Sequence, residues 1–159
     1  MERDEFGPVN KLKTAIWSRD ISNVESTYNE VYPLVNDKNE LNLTNHAIKL
    51  GDVEMTKFFI SKHPNVNYIG SEDYHYPIHA AVIREDPELV SLLLEKGADV
   101  HTKTQDPFQD TALHVAAKTG SATIAKLLID GGADKNSKNS LGHLPIDYAE
   151  NEQITATLK

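Results

Sequence analysis

The chain has 159 residues, is 39% hydrophobic and 25% charged, and carries a formal net charge of −8. That is the composition of one folded domain, with an acidic balance that argues against a phosphate-backbone partner, so no nucleic acid is expected. No cysteine is present, which excludes disulfides and thiolate metal sites and fits a reducing compartment, cytoplasmic or nuclear. The start, MERDEFGPVNKLK, lacks the apolar run of a signal peptide, and no window approaches 18 apolar residues, so no membrane contact is expected either.

In chain order, the same helical pattern recurs. LKTAIWSRDISNVESTY (12–28) is an eroded copy anchored by Ala15, and NLTNHAIKLGDVEMTKFFISKHPNVN (42–67) repeats it through Ala47, Gly51 and Phe58-Phe59-Ile60. YPIHAAVIREDPELVSLLLEKGADVH (76–101) and TALHVAAKTGSATIAKLLIDGGADKN (111–136) align at an offset of 35, pairing His79 with His114 and Gly97-Ala98-Asp99 with Gly132-Ala133-Asp134. LPIDYA, from Leu144, opens a last copy. The units run approximately over 10–36, 37–70, 71–105, 106–138 and 139–159, the first and last acting as caps of one domain over 1–159.

Each copy reads as two short helices. Thr111 is a hydroxyl N-cap, and Pro77 and Pro145 suit a first helical position. Leu113, Ala116 and Ala117 form one apolar stripe, and Gly120 can take the left-handed conformation that stops the helix. Glu85, its counterpart, cannot do so as cheaply, although Asp86-Pro87 supplies a cap for the next helix. The second helix carries Ile124, Leu127 and Leu128, and Gly132 closes it. No unit buries both helix faces alone, so stability must come from stacking. Leu93 and Leu127 are expected to carry it.

Periods of 33 to 35 with TALHVA and YPIHAA at their heads resemble the ankyrin repeat, over residues 11–158. The resemblance implies an all-α ankyrin-repeat solenoid of helix–turn–helix units with projecting hairpin loops. It also implies that His79 and His114 hydrogen-bond loop backbone, and that hairpin tips and first-helix ends line a partner-binding groove. Those positions are Glu72, Asp73, Tyr74 and His75 on one hairpin, Pro107, Phe108 and Asp110 on the next, and Leu141 and His143 on the last. The helix ends contribute Trp17, Ile83 with Arg84, and Lys118 with Thr119, and the hairpins' other strands contribute Lys103 and Lys138. Trp17, Tyr74, Ile83 and Phe108 would border the groove as large apolar groups, which are enriched at interface centres. Arg84, Lys103, Lys118 and Lys138 form a basic stripe suited to an acidic contact surface.

Two departures from the repeat pattern bear on the hairpins. Tyr74 and Gln109 replace the turn glycine that Gly142 retains. A side chain at positive φ there costs on the order of 1 kcal/mol, which points to another loop conformation. The finger holding TKTQDPFQD is also two residues longer than its successor. His75 and His143 are expected to be exposed.

No nucleophile–base pair, phosphate loop or metal-ligand spacing is present, so neither catalysis, nor a metal, nor a cofactor is expected. The expected function is protein–protein recognition by a monomer acting as a stoichiometric inhibitor or adaptor. Small ankyrin proteins similar to it include cyclin-dependent kinase inhibitors and inhibitors of Rel-type transcription factors, viral mimics among them. Alternatively the chain is a structural repeat segment, or a substrate of an asparaginyl hydroxylase. That enzyme prefers Leu eight and Asp two residues before its target, as Leu128 and Asp134 precede Asn136, and Leu93 and Asp99 precede His101.

Overall fold

The computed structural model describes residues 7–31, 37–69 and 75–159. Two compact units are present, Met1–Pro64 and Asn65–Lys159. The first consists of two helical hairpins: α1 (Gly7–Trp17) with α2 (Ile21–Val31), and α3 (Asp37–Leu50) with α4 (Val53–Lys62). Leu12, Ile16, Val24, Leu43, Met55 and Phe59 are fully buried between them. Tyr28 sets its ring edge-on to Phe58 and Phe59, with centroids at 5.4 and 6.1 Å.

The second unit stacks three helical pairs: α5 (Pro77–Ile83) with α6 (Pro87–Glu95), α7 (Ala112–Thr119) with α8 (Ala122–Asp130), and a 3₁₀ turn (Pro145–Tyr148) with α9 (Glu152–Leu158). First helices pack on first helices and second on second, so α5, α7 and the 3₁₀ turn form one layer and α6, α8 and α9 the other. The apolar period places Leu89, Leu93, Ile124, Leu128 and Ile154 fully inside. Leu127, expected in that core, is only half-buried. The helix turns Leu128, its neighbour at about 100° around the axis, into the stack instead.

Local signals set the helix boundaries. Asp20, Asp52, Asp86 and Ser121 each accept backbone N–H groups at the start of a second helix, at 2.9–3.5 Å. The residue before each cap takes positive φ: Arg19 54°, Gly51 68°, Glu85 55° and Gly120 75°. Glu85 thus adopts the conformation its side chain disfavours. Its amide donates to the Val82 carbonyl at 2.9 Å and the Asp86 amide to the Ala81 carbonyl at 3.3 Å, which hold the turn closed. Glu85 is exposed. Glu85→Gly should therefore stabilise the protein by up to about 1 kcal/mol, since glycine escapes the left-handed penalty. A denaturant titration would show it as a higher midpoint at unchanged slope, and a lower midpoint would contradict it.

Candidate functional site

The long finger between α6 and α7 is built from its own side chains. An antiparallel bridge joins Lys103 to Thr111, and the Thr104 amide donates to the Asp110 carbonyl at 2.9 Å. Asp106 Oδ1 gathers the Thr104 hydroxyl and the amides of Phe108 and Gln109 at 2.9–3.1 Å, and Thr104 Oγ1 accepts the Asp110 amide at 3.0 Å. Gln109 takes φ 51°, as Gly142 takes 79° one finger later. The turn is thus retained despite the missing glycine, contrary to the expectation of another conformation, because three donors converging on Asp106 offset the local cost.

Residues from the following repeat hold this finger. The Ser140 amide donates to the Phe108 carbonyl at 2.9 Å, and its hydroxyl donates to the Pro107 carbonyl. Asn139 Nδ2 donates to Asp110 Oδ1 at 2.8 Å and to the Tyr148 hydroxyl at 2.9 Å. Lys118 Nζ is ion-paired with Asp110 Oδ2. The same ammonium lies 5.3 Å from the Phe108 ring centre and 4.4 Å from that of Tyr148, within cation–π range of both. Burial works against the charge of Asp110. The Lys118 ammonium and the Asn139 amide outweigh it and hold the carboxyl below the usual carboxylate range.

His79 and His114 act as the resemblance implied. Nε2 of His79 donates to the Asp110 carbonyl at 3.2 Å and Nε2 of His114 to the His143 carbonyl at 3.0 Å. His114 Nδ1 accepts from the Thr111 amide, completing a capping box around the Thr111 N-cap. Both rings are fully buried, and burial lowers the pKa of each, that of His79 to about 4.

The candidate binding residues separate into three sets. Phe108 (48% exposed), Leu141 (56%) and Ile83 (47%) present apolar surface, with Pro107, Arg84, Lys138 and His143 also exposed. Phe108 and Leu141 occupy matching tip positions, each one residue before the positive-φ residue of its finger. Asp110, by contrast, is buried in the clasp, and Lys118 is bound to it rather than free to steer a partner. Lys103 is half-buried and donates to the Lys138 carbonyl at 2.9 Å, and Thr119 donates to the Ala116 carbonyl of its own helix. His75 is half-buried instead of exposed, because its ring lies 6.3 Å from that of His79. Glu72, Asp73 and Tyr74 lie outside the described residues. In the first unit Trp17 is 63% exposed, its ring meeting His46 edge-on at 5.4 Å. Asn136 and His101 are exposed and sit in matching turns, their amides donating to Asp134 and Asp99 at 2.8 and 2.9 Å.

Sequence reasoning missed exposed Ile69, and it missed Asn139 and Tyr148, the two residues that complete the clasp. Asn139 is the match of Thr104 in the shorter finger, so the unequal finger lengths were the available signal.

Residues 12–104 and 78–158 match the family described as Ankyrin repeats (3 copies). The chain is similar to Protein phosphatase 1 regulatory subunit 27 of Mus musculus, at 33% identity over 107 residues, 65% of this chain and 66% of that protein. It is 39% identical over 82 residues to Ankyrin repeat and SOCS box protein 9 of Homo sapiens, which covers 52% of this chain and 27% of the relative. Putative ankyrin repeat protein R664 of Acanthamoeba polyphaga mimivirus is 41% identical over 86 residues, covering 48% and 52%. The matched stretch thus spans between 27% and 66% of these relatives' own length. Among solved structures, the ankyrin repeat domain of Bcl-3, of the IkappaB protein family, superposes with a TM-score of 0.80 over 92% of this chain and 66% of that one, at 20% identity, a likeness of fold. Matched from Leu12 to Leu158 and built of capped helical pairs with histidine-tethered fingers, the chain belongs to the ankyrin-repeat family.

Proposed function

We propose that this chain is a non-catalytic protein-binding module that works by occupancy, as an inhibitor or adaptor, with Phe108 as the anchor of its contact surface. Ankyrin repeats are interaction modules, and the name of the mouse relative is that of a regulatory subunit, which favours a regulatory role. The observation that carries the reading is an aromatic ring 48% exposed on a finger whose backbone and side chains are held from two sides. Order in the free protein lowers the entropic cost of binding, and aromatic anchors dominate interface energetics. The matching partner is a protein with an apolar pocket for Phe108 and Leu141 and acidic groups at its rim facing exposed Lys138.

The test is affinity capture of partners with identification by mass spectrometry, followed by titration of the recovered partner. Phe108→Ala should weaken binding by about 2 kcal/mol or more, roughly thirtyfold, with the melting temperature preserved. Lys138→Ala should chiefly slow association and reduce its salt dependence. Lys126→Ala, an exposed change on α8, should do neither. Loss of binding on Lys126→Ala with Phe108→Ala unaffected would place the contact on the other side.

A further inference from the structure

The finger that carries Phe108 does not depend on its own repeat alone. Beneath its tip lies Asp110, with a side chain 4% exposed. Both side chains that hold that carboxylate come from outside the finger. Lys118 comes from α7, and Asn139 from the next finger. Asn139 serves both fingers. Its Oδ1 accepts the Leu141 and His143 amides at 3.0 Å and closes its own finger, while its Nδ2 reaches back to Asp110 and to Tyr148. Tyr148 in turn lies under the Lys118 ammonium, and its hydroxyl meets His143 Nδ1 at 3.0 Å.

We propose that Asn139 and Lys118 are positioning residues for Phe108: by clamping the Asp110 carboxylate between two repeats they fix the direction in which the anchor ring is offered. This rests on the reading of Phe108 as the anchor. It makes the repeat that follows the finger part of the recognition apparatus, since the acceptor of the Ser140 amide is the Phe108 carbonyl itself. A buried carboxylate that loses a partner bears its desolvation cost uncompensated, so the clamp depends on both side chains.

The chemistry offers a nearly isosteric test. Asn139→Asp keeps the oxygen that closes its own finger and replaces the amide donor shared by Asp110 and Tyr148, whose hydroxyl can itself donate to the new carboxylate. Two carboxylates then meet at hydrogen-bond distance, which drives them apart at neutral pH. Exchanging the pair, Asp110→Asn with Asn139→Asp, restores one donor and one carboxylate at unchanged net charge. Amide hydrogen exchange at pH 7 reads the clamp without any partner. In Asn139→Asp the amides of Phe108, Gln109, Asp110 and Ser140 should exchange at least about tenfold faster, while those of α6 and α8 keep their protection. The exchanged pair should recover most of the lost protection, the remainder reflecting the ion pair with Lys118 that Asp110→Asn removes. Binding of the captured partner should fall in Asn139→Asp and recover in the exchanged pair.

Unchanged finger exchange in Asn139→Asp, or equal loss of protection throughout Asn65–Lys159 that the exchanged pair does not restore, would overturn the positioning role. A finger that loosens while partner binding is indifferent to it, and to Phe108→Ala as well, would overturn the anchor reading instead. The two failures are therefore distinct.

Discussion

Truncation of Leu128 to alanine is expected to cost about 2–5 kcal/mol of folding stability. Leu128 is fully buried on α8, between the neighbouring second-layer helices α6 and α9, and its match Leu93 is fully buried on α6. Removing three carbons from such a site loses their transfer energy and leaves a cavity that neighbouring helices close only in part. Leu127→Ala, one residue away but half-buried, should cost clearly less. Leu158→Ala should also cost less although its side chain is buried, because among the described helices α9 packs chiefly on α8, whereas α8 packs on both α6 and α9. Urea titrations of the three variants supply the comparison. Equal losses at Leu127 and Leu128 would contradict this packing.

Acidification should remove a comparable amount of stability through a single side chain. His79 has its folded pKa lowered to about 4, first by burial, while unfolded histidine titrates near 6.5. Its Nε2 must carry a proton to donate to the Asp110 carbonyl, and its buried Nδ1 has no partner among the described residues that could accept from a second one. Neutral His79 therefore stabilises the fold fully above pH 6.5, and this contribution is lost as the pH falls from 6.5 towards 4. The loss integrates to roughly 3 kcal/mol. His114, also lowered by burial, adds in the same direction. Asp110 titrates in a separate window: its carboxyl lies below the ordinary value of 3.8, so its contribution persists until the pH falls through that range. Stability measured by urea at pH 7.5, 6, 5 and 4.5 should thus fall steadily, and His79→Gln should be less stable at pH 7.5 with a shallower slope. A flat profile from pH 7 to 4.5 would show that His79 is not buried neutral.

Much of this architecture was legible before folding. Thr111 capping α7, Gly120 stopping it, Asp86-Pro87 starting α6 and the 35-residue alignment of His79 with His114 all act within a few residues or recur at fixed spacing. Fold, helix order and the exposure of Trp17, Ile83, Phe108 and Leu141 followed from them. Sequence also placed Lys118, Asp110 and Phe108 near one surface, because repeat positions map to places in a stack.

What the sequence could not decide was which of these groups would bind each other. Asp110 reads as an exposed hairpin acid, yet its partner Asn139 lies 29 residues away and its ion pair with Lys118 forms only when finger and helix meet. Gln109 accepts an unfavourable φ because Asp106 and Ser140 hold the peptide before it and Thr104 holds the amide after it. The burial of Leu128 in place of Leu127 depends on how α8 is rotated against its neighbours. Local signals are worth about 1 kcal/mol each and are readable one at a time. Burial of a carboxylate or a leucine is settled by all the surfaces around it at once, and those exist only in the folded repeats.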